Sequence, residues 1–514
     1  LPLVSWARDV YKRQATIQAE QDEIIRSPQP GVLVVQGGPG TGKTVVALHR
    51  AAYLLYTYRF PLEDQGVLVI GPNRVFLRYI ERVLPSLGEA GVEQVVLTDL
   101  VSDVTFGARD SLLAARVKGD VRISKLIDKA VSDRERPLKE DLRLPFRSGY
   151  VRIQAQATAD IVRAARRRFR SHNSARKWVE NELLHALASA WREPGVSTNE
   201  MREAMRGVAD YRVALERMWP VLTPAELLND LYGSKALLRL AGEKWFSEDE
   251  YLSLFRPRVH DITDARFSEH DAAVLDDAFE VLGPIPRRAG KVDESDEIRT
   301  YGHIVIDEVQ DLTPMQLRMV ARRSLNGSMT VVGDIAQATG ALAPRSWDDV
   351  LAHLPNRKPA RVVGLSVGYR IPGSIMELAD RVMAAATPGL RAPRSVREGG
   401  APPEFVRASS EDIAAATVEA TLRLAAELPG GNVAVVCADG FVEELSARLS
   451  EAGVAHGRAA ATALDSGVTV VPVSLVKGLE LDGVVVVEPS DIVEGDHVAS
   501  KSFGLRSLYV ALTR

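Results

Sequence analysis

The chain has 514 residues, 46% hydrophobic, 26% charged and 6% aromatic, with a formal net charge of −4. This composition supports several packed domains and excludes intrinsic disorder for the bulk of the chain; any nucleic-acid contact must come from local patches. A single cysteine, Cys437, excludes an internal disulfide framework and fits a reducing cytoplasm, and no apolar run reaches the roughly 18 residues of a membrane-spanning helix.

Leu1–Gln14 (LPLVSWARDVYKRQ) opens without Met, and its apolar stretch is too short for a signal peptide, so it reads as a fragment edge or appended leader. Gly31–Val35 predicts a strand; a glycine cluster follows, then a helix over Thr44–Tyr58 and a second strand at Val67–Ile70. From about residue 103 to 297 strand-like runs vanish, and Arg, Ala, Leu, Glu and Lys recur at helical spacing. Short β-branched runs return at Ile304–Ile306, Thr330–Val332, Val433–Cys437, Val468–Val473 and Val484–Val487. Strands separated by helices predict an α/β fold of parallel sheets with crossover helices. Pro393–Pro403 reads as a connector. The division is a first lobe over 15–102 and 298–357, a mainly helical insertion over 103–297, and a second lobe over 358–514. The chain stops at Arg514 just after an apolar run, with no capping residue, so it reads as truncated at both ends.

Gly37-Gly38-Pro39-Gly40-Thr41-Gly42-Lys43-Thr44 matches the phosphate-loop pattern and lies between a strand and a helix. Glycines let backbone N–H groups curl toward phosphate oxygens, and the helix N-terminus adds a favourable dipole. Lys43 is expected on the β- and γ-phosphates and Thr44 on Mg²⁺. Gly38-Pro39-Gly40 also resembles a dinucleotide-binding turn, but Lys43 and Thr44 have no role there. Ile304-Val305-Ile306-Asp307-Glu308 is an apolar strand ending in two carboxylates, placed where an open parallel sheet binds ligands. Asp307 is a candidate metal ligand and Glu308 a candidate general base. Read alone, the pair would be an ordinary solvated strand end.

At this point the chain resembles superfamily 1 helicases of the UvrD/Rep type. Asp307-Glu308-Val309-Gln310-Asp311 is similar to that family's second motif, and Ile17-Gln18-Ala19-Glu20-Gln21 to its adenine-reading motif, with Gln21 on the base. Val331–Gln337 resembles the third motif, with Gln337 sensing the γ-phosphate. Gly368-Tyr369-Arg370 resembles the fourth, with Arg370 on the same group. Lys477-Gly478-Leu479-Glu480 resembles the fifth. Leu508–Arg514 resembles the sixth, with Arg514 as a second arginine finger. The resemblance implies two RecA-like P-loop NTPase lobes, ATP with Mg²⁺ between them, and hydrolysis that depends on lobe closure. Gln310 and Glu480 join the ATP-binding set. Without the motif set, Arg370 and Arg514 would read as surface ion-pair partners.

The sequence also departs from the UvrD/Rep pattern. Ala338–Ser346 lacks the aromatic residues expected after Gln337, and Trp347 arrives late; each lost stacking contact removes about 1–3 kcal/mol of strand grip. Gly368 stands where Asn is frequent and Ser474 where His is. With Gly71–Leu77, including the strand-contact candidates Pro72, Asn73, Arg74 and Phe76, these departures resemble the HelD branch (helicase-IV-like), whose members associate with bacterial RNA polymerase and use ATP to release or recycle it. The expected partners are single-stranded DNA and bacterial RNA polymerase, without membrane, for a monomer. A conventional 3′–5′ translocating repair helicase and a non-motor nucleotide switch are the alternatives. Arg163, Arg166, Arg167, Arg168, Arg170, Arg176 and Lys177 lie in a window free of Asp and Glu, with Phe169 and Trp178 interleaved, and predict a basic contact face. Phe267–Asp277 reads as a structural helix start capped by Ser268. The nine histidines form no ligand-spaced cluster.

Overall fold

The computed structural model describes residues 19–59, 62, 65–74, 76–77, 91–193, 195–286, 297–340, 342–386, 394–397, 401–458, 467–477, 479, 481–494 and 501–513. Leu1–Gln14, Ile17, Gln18, Glu480 and Arg514 lie outside the described residues. A helix over 19–25 leads into β1 (Val32–Gly37), the helix Lys43–Thr57, β2 (Val67–Ile70) and β3 (Val92–Val95). The following stretch is mainly helical and carries β4 (Thr105–Phe106), β5 (Leu142–Phe146), β6 (Gly149–Ile153) and β7 (Arg266–Phe267). Then come β8 (His303–Ile306), β9 (Met329–Gly333) and β10 (Arg361–Leu365). The first sheet has the order β10-β1-β9-β8-β2-β3, with each pairing parallel. β11 (Val367–Pro372) pairs with β12 (Arg394–Arg397). β13 (Val433–Cys437), β14 (Gly457–Arg458), β15 (Val468–Pro472) and β16 (Gly483–Val486) form a second parallel sheet, ordered β14-β15-β13-β16. These are two RecA-like α/β lobes with a helical insertion in the first.

Parallel strands are covered on both faces, so they need apolar residues at successive positions. In β1, Val32 and Val34 enter one core while Leu33 and Val35 enter the other. In β13, Val433, Val435 and Cys437 face one core and Ala434 and Val436 the other. The strand period of two sends neighbours to opposite faces. The helix Lys43–Thr57 covers the first sheet with Val46, Ala47, Ala51, Leu54 and Leu55.

The chain forms two compact units, one of Leu1–Leu100 with Thr300–Arg514 and one of Val101–Arg299. Within the second unit the expected absence of strands is corrected. β5 and β6 form an antiparallel hairpin, with Leu144 paired to Val151 and Phe146 to Gly149. The signal was period-two alternation of Leu142, Leu144 and Phe146 against Val151 and Ile153, submerged among charged residues. Leu144, Phe146, Val151 and Ile153 share a core with Val179, Leu183, Leu187 and Trp219. The N-cap position of the helix Asp271–Leu282 is His270, two residues after the expected Ser268; Ser268 closes the turn before the helix, its Oγ accepting from Asp271 N at 3.2 Å while Asp271 Oδ2 accepts from Ser268 N at 2.9 Å. The sequence division also changes at one point. β10 pairs with β1, so the first sheet extends to Leu365 rather than ending at residue 357.

Candidate active site

β1 ends at Gly37, and the loop beyond it turns through Gly40 and Gly42 at φ of 69° and 76°. That left-handed region is costly for a residue with a Cβ. Gly42 is the N-cap of the helix Lys43–Thr57, whose first N–H groups lack helical partners and favour an anion. Thr41 Oγ1 ties the loop to itself by donating to Gly38 O at 2.8 Å. Lys43 is buried, with its ammonium 3.7 Å from Glu308 Oε1.

β8 delivers Asp307 and Glu308 to the same place. Thr44 Oγ1 donates to Asp307 Oδ2 at 2.7 Å. Glu308 adopts φ 48° and ψ 40°, a left-handed conformation that in a non-glycine residue stores about 1–3 kcal/mol of strain. Its main chain turns there from the strand into the tight turn Val309–Asp311. Gln310, fully buried, donates through Nε2 to Glu308 Oε2 at 2.6 Å and accepts from Asp334 N at 3.0 Å. Gly333 makes room for this, since a Cβ there would collide with the Gln310 amide. Asp334 accepts from Ala336 N at 3.0 Å and from Gln337 Nε2 at 2.8 Å. A continuous buried polar chain therefore runs from Lys43 through Glu308, Gln310 and Asp334 to Gln337.

Burial and the adjacent Glu308 carboxylate push Asp307 up to about 6, against the pull of Lys43 and the Thr44 hydroxyl. Burial also raises Asp334. Two carboxylates crowded in a dry site with one ammonium have room for more positive charge. The donor set fits Mg²⁺: a hydroxyl and a carboxylate oxygen already 2.7 Å apart, both hard ligands, beside a phosphate-binding loop. Mg²⁺ characteristically takes one or two carboxylates, with water and phosphate completing the octahedron.

Of the other expected site residues, β11 brings Arg370 against the loop, together with its motif neighbour Tyr369. Tyr369 N donates to Gly40 O at 3.2 Å, and a Cβ on Gly40 would lie 3.1 Å from Arg370 Cβ. The Tyr369 hydroxyl sits against Gly42. Gln21 is half-buried on the helix over 19–25. That helix is held by a residue the sequence reading missed. Arg50, 1% exposed, donates to the carbonyls of Ile24 at 3.0 Å, Ser27 at 2.6 Å and Pro28 at 2.9 Å, and to Thr330 Oγ1 at 3.0 Å. Burial lowers its pKa to about 10, so it stays charged at neutral pH. The available signal was a lone arginine on the apolar stripe of Val46, Ala47, Ala51 and Leu54.

One contact expectation is corrected and another is narrowed. Phe76 is 3% exposed in the first-sheet core, where a Cβ on Gly71 would touch its ring, so it cannot stack on a base. Pro72 and Arg74 are exposed, Arg74 pairs with Asp99, and Asn73 Nδ2 donates to Lys477 O at 3.3 Å. In the insertion, the acid-free window is not acid-free in space. Arg166 pairs with Glu135 at 2.7 Å, and Arg163 and Arg176 pair with Asp160 and Glu216. Arg168 lies over Phe169 and Trp178, 5.8 and 5.6 Å from their ring centroids, and with Arg167 remains exposed. Trp347 is tied by Nε1 to Gln36 Oε1 at 2.8 Å.

No protein-family model matches the chain. A relative is nonetheless found for part of it. The chain is similar to UvrD2. The proteins named ATP-dependent DNA helicase UvrD2 from Mycobacterium bovis and Mycobacterium tuberculosis are 34% identical to it over 168 residues. The match covers 30% of this chain and 23% of the length of those relatives. The likeness covers less than a quarter of the length of those relatives. Among the described residues, no helix is long and apolar enough to cross a membrane.

Proposed function

We propose that this chain is a Mg²⁺-dependent ATPase of the UvrD-like motor type that acts on DNA. The observation that carries the reading is the convergence of Lys43, Thr44, Asp307 and Glu308 at one buried point, bounded by the loop Gly37–Gly42. Lys43 and the loop N–H groups bind the triphosphate. Thr44 and Asp307 hold the metal, which when bound neutralises developing phosphate charge. Glu308, oriented by Gln310, accepts a proton from the attacking water. Gln337 reports the γ-phosphate through Asp334. Arg370, whose backbone already lies on the loop, completes the cage with Arg514; Gln21 holds the adenine base, and Glu480 belongs to the ATP-binding set. The UvrD2 likeness supports DNA as the substrate.

A second reading, remodelling of RNA polymerase complexes as in the HelD branch, is favoured by one feature: Trp347 is bound to Gln36, and no aromatic residue stands between Gln337 and it. Purified protein is assayed for ATP turnover with and without single-stranded DNA, for strand displacement, and for co-purification with bacterial RNA polymerase. DNA-stimulated turnover with displacement supports the first reading. Weak stimulation with polymerase capture supports the second. Glu308→Gln is expected to keep ATP binding and lower turnover by about 10²–10⁴-fold. Wild-type turnover in that variant would remove Glu308 as the base, and binding without turnover in the wild type would leave a nucleotide switch.

A further inference from the structure

Lys477 follows β15 and the turn Val473–Leu475, yet its ammonium is spent on the first lobe. It donates to Asp311 Oδ2, to Thr339 Oγ1, and to the carbonyl of Gln337 at 3.0 Å. Three acceptors match the three N–H bonds of an ammonium. Its side chain is 13% exposed. The socket is built for it. The second oxygen of Asp311 accepts from Thr339 N at 2.9 Å and Thr339 Oγ1 at 3.3 Å. Gly340 lets this wall close up, because a Cβ there would come within 2.8 Å of Asp311 O. Thr339 and Gly340 lie in the stretch that lacks the expected aromatic residues, so that departure has a positive content.

The lysine also connects two regions of different task. Asp311 adjoins Gln310, which holds Glu308. The Lys477 carbonyl accepts from Asn73 Nδ2 at 3.3 Å, and Asn73 Oδ1 accepts from Phe76 N at 2.8 Å, at the start of the helical turn after β2. We infer that Lys477 is a positioning residue: seated in the Asp311–Thr339 socket, it fixes the turn that carries Gln310 and Glu308, and it transmits the seating of the second lobe to the Asn73 turn. The inference rests on the ATPase reading for its kinetic consequence, and its geometric part stands without it.

The test uses the full chain and the variants Lys477→Ala, Asp311→Asn and the double variant. Turnover, KM and the affinity for a non-hydrolysable ATP analogue are measured. The distance between spin labels on the two sheets is measured with and without the analogue. Lys477→Ala is expected to lower kcat by about 10–100-fold, the scale of a misplaced reacting group. Analogue affinity stays within about threefold, the double variant is no worse than Lys477→Ala, and the label distances broaden. A kcat within about twofold of wild type, a loss that falls on KM instead, or multiplying losses in the double variant overturns the inference. If Lys477→Ala fails to fold, Thr339→Val removes one acceptor and is expected to lower kcat by about 3–10-fold, with the same outcomes deciding. If the wild type does not hydrolyse ATP, the ATPase reading fails by itself; label distances unchanged by Lys477→Ala then overturn the geometric part of the inference as well.

Discussion

His303 shows how one buried ring is set by its neighbours. Ser328 Oγ spends its proton on Gln29 O at 2.6 Å, so it must accept from His303 Nδ1 at 2.8 Å. The ring's Nε2 then accepts from Thr330 Oγ1 at 3.1 Å, while that oxygen accepts from Arg50 Nε at 3.0 Å. A proton on Nε2 would face both complete burial and the Arg50 charge, and these push His303 down to about 3 from 6.5. The folded ring is neutral where the unfolded one is charged. Its contribution to stability is therefore intact above about pH 6.5 and lost progressively as pH falls toward 3, by about 1.4 kcal/mol per pH unit. His303→Asn is expected to destabilise the protein by about 1–3 kcal/mol at pH 7.5 and by less at pH 5. Urea unfolding at both pH values checks this; a gap that stays constant would reject it. Gly42→Ala belongs to the same scale. At φ 76° with the Tyr369 hydroxyl against it, the new methyl strains the loop and displaces Tyr369. Loss of nucleotide affinity by at least about tenfold is expected in equilibrium binding.

The element that presents Glu308 is short and depends on its exit. After the turn Val309–Asp311, Thr313 caps the helix Pro314–Arg322: its Oγ1 accepts from Gln316 N at 3.3 Å, and Gln316 Oε1 accepts from Thr313 N at 2.9 Å. Proline at the first helical position suits this start. Thr313→Ala leaves the buried Gln316 N–H without its acceptor, and a loss of about 1–2 kcal/mol is expected, read as a lower urea midpoint with unchanged slope. A midpoint at the wild-type value would show that solvent replaces the cap. The same logic explains the phosphate loop: β1 is rigid because both faces are covered, so the glycine turn that follows is held against a fixed edge.

At the scale of the molecule, each compact unit has its own core. Leu54 and Val69 belong to the unit with the two sheets, Leu183 and Trp219 to Val101–Arg299. Leu54→Ala and Leu183→Ala, both fully buried positions, are each expected to cost about 2–5 kcal/mol in their own unit. In calorimetry, a non-hydrolysable ATP analogue should raise the transition that Leu54→Ala lowers and leave the one that Leu183→Ala lowers. An equal shift of both would mean that the units unfold as one.

β1, β2, β8, β9, β13, β15 and β16 and the phosphate loop were legible in the chain itself, because a strand buried on two faces must be apolar at successive positions and a loop that wraps phosphate must be glycine-rich; the edge strands β3, with two polar residues, and β14, of two residues, were not. β10 escaped that reading: Arg361 and Gly364 interrupt its apolar run, and only its pairing with β1 marks it as the edge of the first sheet. The hairpin of β5 and β6 was hidden likewise by Arg143 and Arg152, which point away from its core. Asp307 and Glu308 could be picked out by motif, but not that Thr44 would meet one and Lys43 the other. The roles of Arg50 and Lys477 were out of reach, since their partners stand far along the chain. So was the fate of Phe76, which is buried, and of the arginine window, where Glu135, Asp160 and Glu216 pair with three of the arginines while Arg167 and Arg168 stay exposed. Backbone periodicity is a local property and can be read locally. Desolvation and charge pairing depend on which distant residues arrive, and that is settled when the sheets and helices pack.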